Sequence, residues 1–359
     1  MKITSIDVET IKVPLKEPFT IALGTIYDAA SAVVKVNTDE GIYGYGEGSP
    51  AILVTGETMP GTIECIKEFE KALIGTDPTD LEKVNWILSR AAAPHAPCGK
   101  TAIDIACYDI LGKKAGMPVY KLLGGNSNTI ETDITIGIDT PEYMASKAKK
   151  FVAMGFDTIK TKVGTGAKED IARVKAIREA VGDDVKIRLD ANQGWNAKEA
   201  VQIIERLDEY DIELVEQPVP YHDITGLEYV TNHTNVFIMS DESCFNSKDA
   251  LRLVERRAVD CLNIKLMKCG GLYEAQRIND ICQAAGIECM LGCMGEESNI
   301  GITAAASLGA AKRNITRADL DATFSLSSLS FDGGVGLEVK KEIVLPEEPG
   351  FGFKGIIRK

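Results

Sequence analysis

A chain of 359 residues with 45% hydrophobic and 26% charged residues can bury a sizeable core and has a globular balance rather than a disordered or fibrous one. Its formal net charge of −13 argues against nucleic acid or an anionic membrane as partner, because both demand a positive footprint. Nine cysteines, odd in number and without CxxC spacing, support neither a disulfide framework nor a structural zinc site; with no apolar run long enough for a membrane span or leader, they predict a reduced, cytoplasmic protein.

Residues 1–127 open on the alternating strand patterns MKITSIDVETIKV and ASAVVKVNT, pass a GYGEGSP turn, and continue into helices such as GKTAIDIACYDILGKKAG. This is read as an α+β domain. From 128 to 322, short β-branched runs alternate with amphipathic stretches such as EDIARVKAIREAV and AKEAVQIIERL, the signature of βα units around a parallel sheet. Strand candidates begin near 131, 157, 185, 212, 235, 261, 287 and 314, a count that suggests a closed barrel, with an open doubly wound sheet as the alternative. Beyond DLDA, residues 323–359 are rich in turns and short strand-like pieces and are expected to return to the first domain.

In such a barrel, active-site groups come from the C-terminal ends of the strands. The second strand holds Lys160 and Lys162, two residues apart and so on one face. Neighbouring ammoniums disfavour each other's charge and confinement adds to this, so one of them is expected to serve as a base near neutral pH. The next three strands end in RLDANQGW, VEQP and SDES, offering Asp190, Glu216 and Asp241. Each alone could cap a helix, but three converging carboxylates would repel unless a hard cation such as magnesium neutralised them. On the sixth strand, NIKLMKCGG sets Lys265 within the strand and Lys268 just beyond it, so that Lys162 and Lys265 flank a substrate from opposite sides. The eighth strand ends in ADLDA, where Asp319 and Asp321 read as a second metal site, a turn or, preferred here, a receptor for a substrate ammonium. Cys282, Cys289 and Cys293 read as small buried hydrophobes, and His95, His222 and His233 as ordinary residues outside any metal-binding pattern.

The ordered set KTK at 160–162, LDANQGW from 189, VEQP from 215, DES from 241 and NIKLMKCGG from 263 resembles the muconate-lactonising subgroup of the enolase superfamily, and KTAIDIACYD and YKLLGG extend the likeness over nearly the whole chain. The resemblance implies a modified TIM barrel, (β/α)7β, with an α+β capping domain built from both chain ends. It implies one Mg2+ on Asp190, Glu216 and Asp241, acid/base catalysis by Lys162 and Lys265, and support from Lys160; this superfamily's lysine bases and magnesium-stabilised enediolates are a known pattern of tuned chemistry. The DLDA ending looks like the dipeptide epimerases, in which Asp319 and Asp321 would hold the dipeptide amino terminus. Thr135, Gly24 and Lys160 join them in the implied substrate-binding set.

Ala-Glu-specific epimerases carry an arginine where PFTIALGT has Gly24, so the resemblance implies a small-molecule dipeptide with a hydrophobic side chain rather than Glu. Glu296 and Glu297 after the seventh strand would favour Lys or Arg if either reached the pocket. The nearest rivals are o-succinylbenzoate synthase, N-succinylamino acid racemase and muconate cycloisomerase, whose extra carboxylate Asp319 and Asp321 would repel. A non-catalytic binding protein would be expected to lack one of the lysines or metal carboxylates. A homo-oligomer is compatible with the sequence.

Overall fold

The computed structural model describes residues 1–92 and 95–358. Ile3–Ile21 (β1), Gly24–Thr38 (β2) and Tyr43–Gly48 (β3) form an antiparallel sheet in that order, β1 and β2 meeting in a tight turn at Ala22 and Leu23. On it pack Met59–Leu73 (α1), Leu81–Ala91 (α2) and Pro97–Ala115 (α3), burying Ile66, Phe69, Leu73, Val84 and Leu88 against Ile3, Ile6, Val34 and Val36. Proline opens α3 at its first turn and Gly116, at φ 68°, closes it in the left-handed conformation.

The expected GYGEGSP turn is instead a strand through Gly48, and its glycines serve packing rather than turning. Gly44, Gly46 and Gly48 alternate onto the face that meets α3. A Cβ on Gly46 would lie 1.9 Å from the Ala102 carbonyl oxygen, one on Gly44 2.1 Å from that of Ala106, and one on Gly48 2.4 Å from that of Cys98. Backbone therefore rests on backbone. Gly46→Ala is expected to cost about 3 kcal/mol, the upper end of overpacking penalties, seen as a lowered urea midpoint at unchanged slope; a midpoint within experimental error of wild type would show that α3 can retreat.

After a short helix Val119–Leu122 (α4), Thr129–Glu131 (β4) precedes eight parallel strands: Ile134–Ile136 (β5), Thr158–Lys162 (β6), Lys186–Asp190 (β7), Ile212–Glu216 (β8), Phe237–Ser240 (β9), Cys261–Ile264 (β10), Glu288–Gly292 (β11) and Ile315–Asp319 (β12). Each begins within three residues of its expected start. The joining helices are Pro141–Ala153 (α5), Ala167–Val181 (α6), Ala197–Leu207 (α7), Ile224–His233 (α8), Ser247–Arg256 (α9), Leu266–Cys269 (α10), Leu272–Ala285 (α11) and Asn299–Ala311 (α12). Most bury one face, whereas α12 is buried all round from Asn299 to Leu308, and caps are supplied by side chains such as Thr140, Asn196 and Asn246. Behind β12 stands only Ala322–Ser325 (α13), so the eighth helix is reduced to a single turn.

Neighbouring strands are hydrogen-bonded in sequence order from β5 to β12. The seam between first and last is closed by the Asp133 N–H donating to Ala318 O at 3.0 Å and the Leu320 N–H donating to Thr132 Oγ1 at 2.8 Å. Inside, Leu214, Met239, Cys261 and Met290 fill one layer, and Arg188 bridges Asp133 and Glu213 at 2.7 and 2.6 Å. The tail forms Phe331–Asp332 (β13), Glu342–Val344 (β14) and Gly355–Ile356 (β15); β14 pairs with β4, Leu326 bridges to Leu15, and the Phe351 N–H donates to Asp109 on α3. All nine cysteines are free thiols, and none of the described helices is long and apolar enough to cross a membrane.

Candidate active site

Strand register assembles the site. Thr135 on β5 stands opposite Lys160 on β6, Lys162 opposite Asp190 on β7, Asp190 opposite Glu216 on β8, and Gly292 on β11 opposite Asp319 on β12. Because side chains alternate along a strand, the lysines on β6 point the same way, and both are buried in the barrel mouth. Lys160 Nζ lies 2.6 Å from Asp319 Oδ2, 2.5 Å from Glu216 Oε2 and 3.2 Å from Asp190 Oδ2. Lys162 Nζ is 2.5 Å from Asp190 Oδ2. Lys265 falls one residue beyond β10 rather than within it, capping α10; from there its Nζ reaches Asp241 Oδ2 at 2.8 Å. Asp319 and Asp321 are tied to one anchor: Thr135 donates its hydroxyl to Asp319 at 3.1 Å and its N–H to Asp321 at 2.6 Å.

One carboxylate oxygen from each of Asp190, Glu216 and Asp241 lies within 4.8 Å of the other two. Each ligand candidate is braced: the Asn192 N–H donates to Asp190 Oδ1 at 2.9 Å, Asn263 Nδ2 to Glu216 Oε1 at 2.6 Å, and the Asp241 N–H to Gln217 Oε1 at 2.9 Å. Glu216 Oε2 and Asp241 Oδ1 each sit 2.5 Å from an ammonium, yet neither receives a directional hydrogen bond. Buried oxygens left in that state fit a hard cation seeking an all-oxygen donor set, so the residues present suit magnesium.

The electrostatics correct one expectation. Burial alone would lower the Lys160 and Lys265 pKa values, but the carboxylates outweigh it: Asp319, Glu216 and Asp190 hold Lys160 well above its ordinary range, and Asp241 and Glu216 do the same for Lys265. The lysines' repulsion for one another is the smaller effect because anions are interleaved between them. Asp241 is held far below the usual carboxylate range by Lys265 and Lys268 in spite of its burial. Asp321 is pushed up to about 7 by burial and the adjacent Asp319 charge, and Glu242 to about 7 by burial and Asp241.

Three contributors escaped the sequence reading. Lys268 is buried, with Nζ 2.5 Å from Asp241 Oδ1 and donating to the Asp241 carbonyl; its place beyond the sixth strand is legible in the sequence, its partner is not. Asn192 lines the cavity from a left-handed backbone at φ 39°, and its Nδ2 donates to Glu242 Oε1 at 3.3 Å. Asn192 and Glu242 both lie inside motifs, LDANQGW and DES, whose flanking residues drew the attention.

Above this layer, cap and barrel bound an open cavity of about 440 Å3. Its floor carries Thr135, Lys162, Asn192, Asp241, Lys265, Asp319 and Asp321, while Phe19, Ile21, Ile26, Ile52 and Leu53 line the cap side. Gly24 faces Leu53, whose Cδ1 would be 3.4 Å from an added Cβ. None of the described residues lining the cavity is an arginine; Lys12, the remaining cation, is paired with Asp28 at 2.9 Å. Glu296 lines the cavity, whereas Glu297 is buried elsewhere, accepting the Met294 N–H at 2.7 Å.

Two family models together span most of the chain: the mandelate racemase/muconate lactonizing enzyme N-terminal domain over residues 4–124 and the enolase C-terminal domain-like model over 143–355. A hydrophobic dipeptide epimerase of Enterococcus faecalis is 58% identical over 98% of this chain and 99% of its own. An L-Ala-D/L-Glu epimerase of Bacillus subtilis is 42% identical over 99% and 97%. The crystal structure of the Enterococcus faecalis V583 dipeptide epimerase with Mg and L-Leu-L-Tyr superposes with a TM-score of 0.97, covering 99% of this chain and all of that one at 58% identity.

Proposed function

This chain belongs to the mandelate racemase/muconate lactonizing enzyme family of the enolase superfamily, and on that premise we propose that it is a dipeptide epimerase, an isomerase that inverts the α-carbon of the C-terminal residue of a dipeptide bearing a hydrophobic side chain. The observation that carries the reading is the pair Lys162, ending β6, and Lys265, just past β10 across the barrel, opening on one cavity with Asp319, Asp321 and Asp241, the last of which belongs to the carboxylate triad. Asp190, Glu216 and Asp241 would hold one Mg2+, which when bound neutralises the substrate carboxylate and stabilises the charge developing there as the α-proton leaves.

In this proposal, Lys162 and Lys265 approach the α-carbon from opposite faces. The neutral one takes the α-proton, breaking the C–H bond, and the protonated one returns a proton to the other face; the reverse reaction exchanges their roles. Lys160, held by Asp319, Glu216 and Asp190, adds fixed positive charge beside the reacting carboxylate. Asp319 and Asp321 receive the substrate ammonium, oriented by Thr135. The apolar cap residues receive the side chain, next to Gly24. Substrates that present a second carboxylate there, as a succinylated amino acid would, meet two aspartates and are disfavoured.

We also assign residues 1–127 with 323–359 to one capping unit over a barrel of 128–322, a division supported by the Leu15–Leu326 bridge and the Phe351 hydrogen bond to Asp109. A reducing cytoplasm suits nine free thiols.

Two measurements test the reading. Asp319→Asn should weaken kcat/KM for dipeptides with a free amino terminus far more than for their N-acetylated analogues, by about 1.5 to 3 kcal/mol, roughly ten- to over a hundredfold. Equal losses on both would assign Asp319 to the fold instead. A dipeptide library incubated in deuterated water and scored by mass for α-deuterium should give a far higher kcat/KM for C-terminal residues with an apolar body than for Glu. Highest efficiency on L-Ala-L-Glu would overturn the hydrophobic preference.

A further inference from the structure

Glu296 stands in the cavity wall with no part in the proton transfers above. It lies on the loop between β11 and α12, whose backbone is fastened to the cap: Ser49 Oγ donates to the Glu296 carbonyl at 2.8 Å and Ser31 Oγ does so at 3.3 Å. Beside it, a Cβ on Gly295 would come 3.2 Å from Ile26 Cδ1, so the loop has little room to withdraw. The backbone is held, and among the described residues no other residue reaches the carboxylate by hydrogen bond or ion pair; only its own N–H does. Its surroundings in the cavity wall include Ile26, Leu53 and Met294. Burial raises its pKa, offset by its own N–H and by Lys265. The loop meets the cap at Ile26, one of the apolar residues that receive the side chain, and the carboxylate lines the same cavity.

We propose that Glu296 selects the side chain on the inverted carbon, accepting a hydrogen bond from a donor at the tip of an otherwise apolar side chain. Tyrosine and lysine, with apolar bodies and donor tips, then surpass phenylalanine and norleucine of matched bulk. A wholly apolar side chain strips water from Glu296 and returns nothing, whereas a donor restores what the carboxylate loses. The two donors differ in kind: the phenol needs only an acceptor, while the ammonium also needs the negative charge. This inference rests on the epimerase reading and narrows its hydrophobic substrate class to amphipathic members.

The test compares kcat/KM for L-Ala-L-Tyr with L-Ala-L-Phe, and for L-Ala-L-Lys with L-Ala-L-norleucine, in the Mg2+-loaded wild type, Glu296→Gln and Glu296→Met. Wild type should favour each donor by about tenfold. Glu296→Met should erase both preferences, and Glu296→Gln should keep the preference for tyrosine while losing that for lysine. Ratios in both variants equal to those of wild type, or a wild type indifferent within both pairs, would overturn the assignment. Failure of the epimerase reading looks different: wild type would then incorporate no α-deuterium into any dipeptide, which removes the premise and this inference with it.

Discussion

Lys162→Ala and Lys265→Ala are each expected to slow epimerisation by about 10²- to 10⁴-fold, the usual worth of a positioned acid or base, while leaving a half-reaction intact. The two ammoniums come from the end of β6 and from the residue just past β10, and each is bonded to a different carboxylate, Lys162 to Asp190 and Lys265 to Asp241. Removing one leaves the partner's local contacts in place. The surviving lysine can still exchange the α-proton of the epimer whose C–H bond faces it, but it cannot reach the other face to complete inversion. Incubation of each variant with pure L,L and L,D substrate in deuterated water should show exchange of one epimer only, and the opposite epimer in the two variants. Near-wild-type epimerisation by either variant would mean that one group serves both faces. Exchange of the same epimer in both would mean that the lysines act in series on one side.

Strand order and the polar residues at strand ends were legible in the sequence because both are governed by local rules. Period-two alternation set Lys160 and Lys162 on one face, and parallel register then aligned Lys162, Asp190 and Glu216 without further information. What was not legible depended on close approach between segments distant in sequence. Gly44, Gly46 and Gly48 look like turn glycines until α3 lies on them, because the reason for lacking a Cβ is a carbonyl some 55 residues away. The rise in the Lys160 pKa is not legible for a related reason. Along the chain the charged group two residues away is another cation, but the nearest charged groups in space are carboxylates from strands β7, β8 and β12. Lys268 shows the same limit from the other side: nothing in NIKLMKCGG tells that the chain turns into α10 after Lys265 and brings Lys268 onto Asp241.

Addition of Mg2+ to metal-stripped protein should raise the melting temperature by several degrees and restore turnover, and Asp241→Asn should lose both responses while retaining its fold. Six carboxylates, those of buried Asp190, Glu216, Asp241, Glu242 and Asp319 and of half-buried Asp321, stand with four buried lysines, Lys160, Lys162, Lys265 and Lys268. The anionic excess there is what a divalent cation would offset, and the oxygens left without directional hydrogen bonds, Glu216 Oε2 and Asp241 Oδ1, belong to two of the three ligand candidates. Binding to the folded state alone stabilises it by about 2.7 kcal/mol at a hundredfold excess over Kd. Lys162 and Lys265 also matter to this response, because each lies against a ligand candidate, and a cation taking Asp190 and Asp241 weakens the hold that those carboxylates exert on the ammoniums. Asp241→Asn keeps the shape of the site but removes one negative charge, so Lys265 and Lys268 lose their anionic partner and the cation loses a ligand. Calorimetric scans with and without Mg2+, paired with elemental analysis of the stripped protein, separate the cases. Full turnover by protein shown to be free of metal, or a melting temperature indifferent to Mg2+ in wild type, would assign the triad to a permanent lysine–carboxylate network with no cation in it.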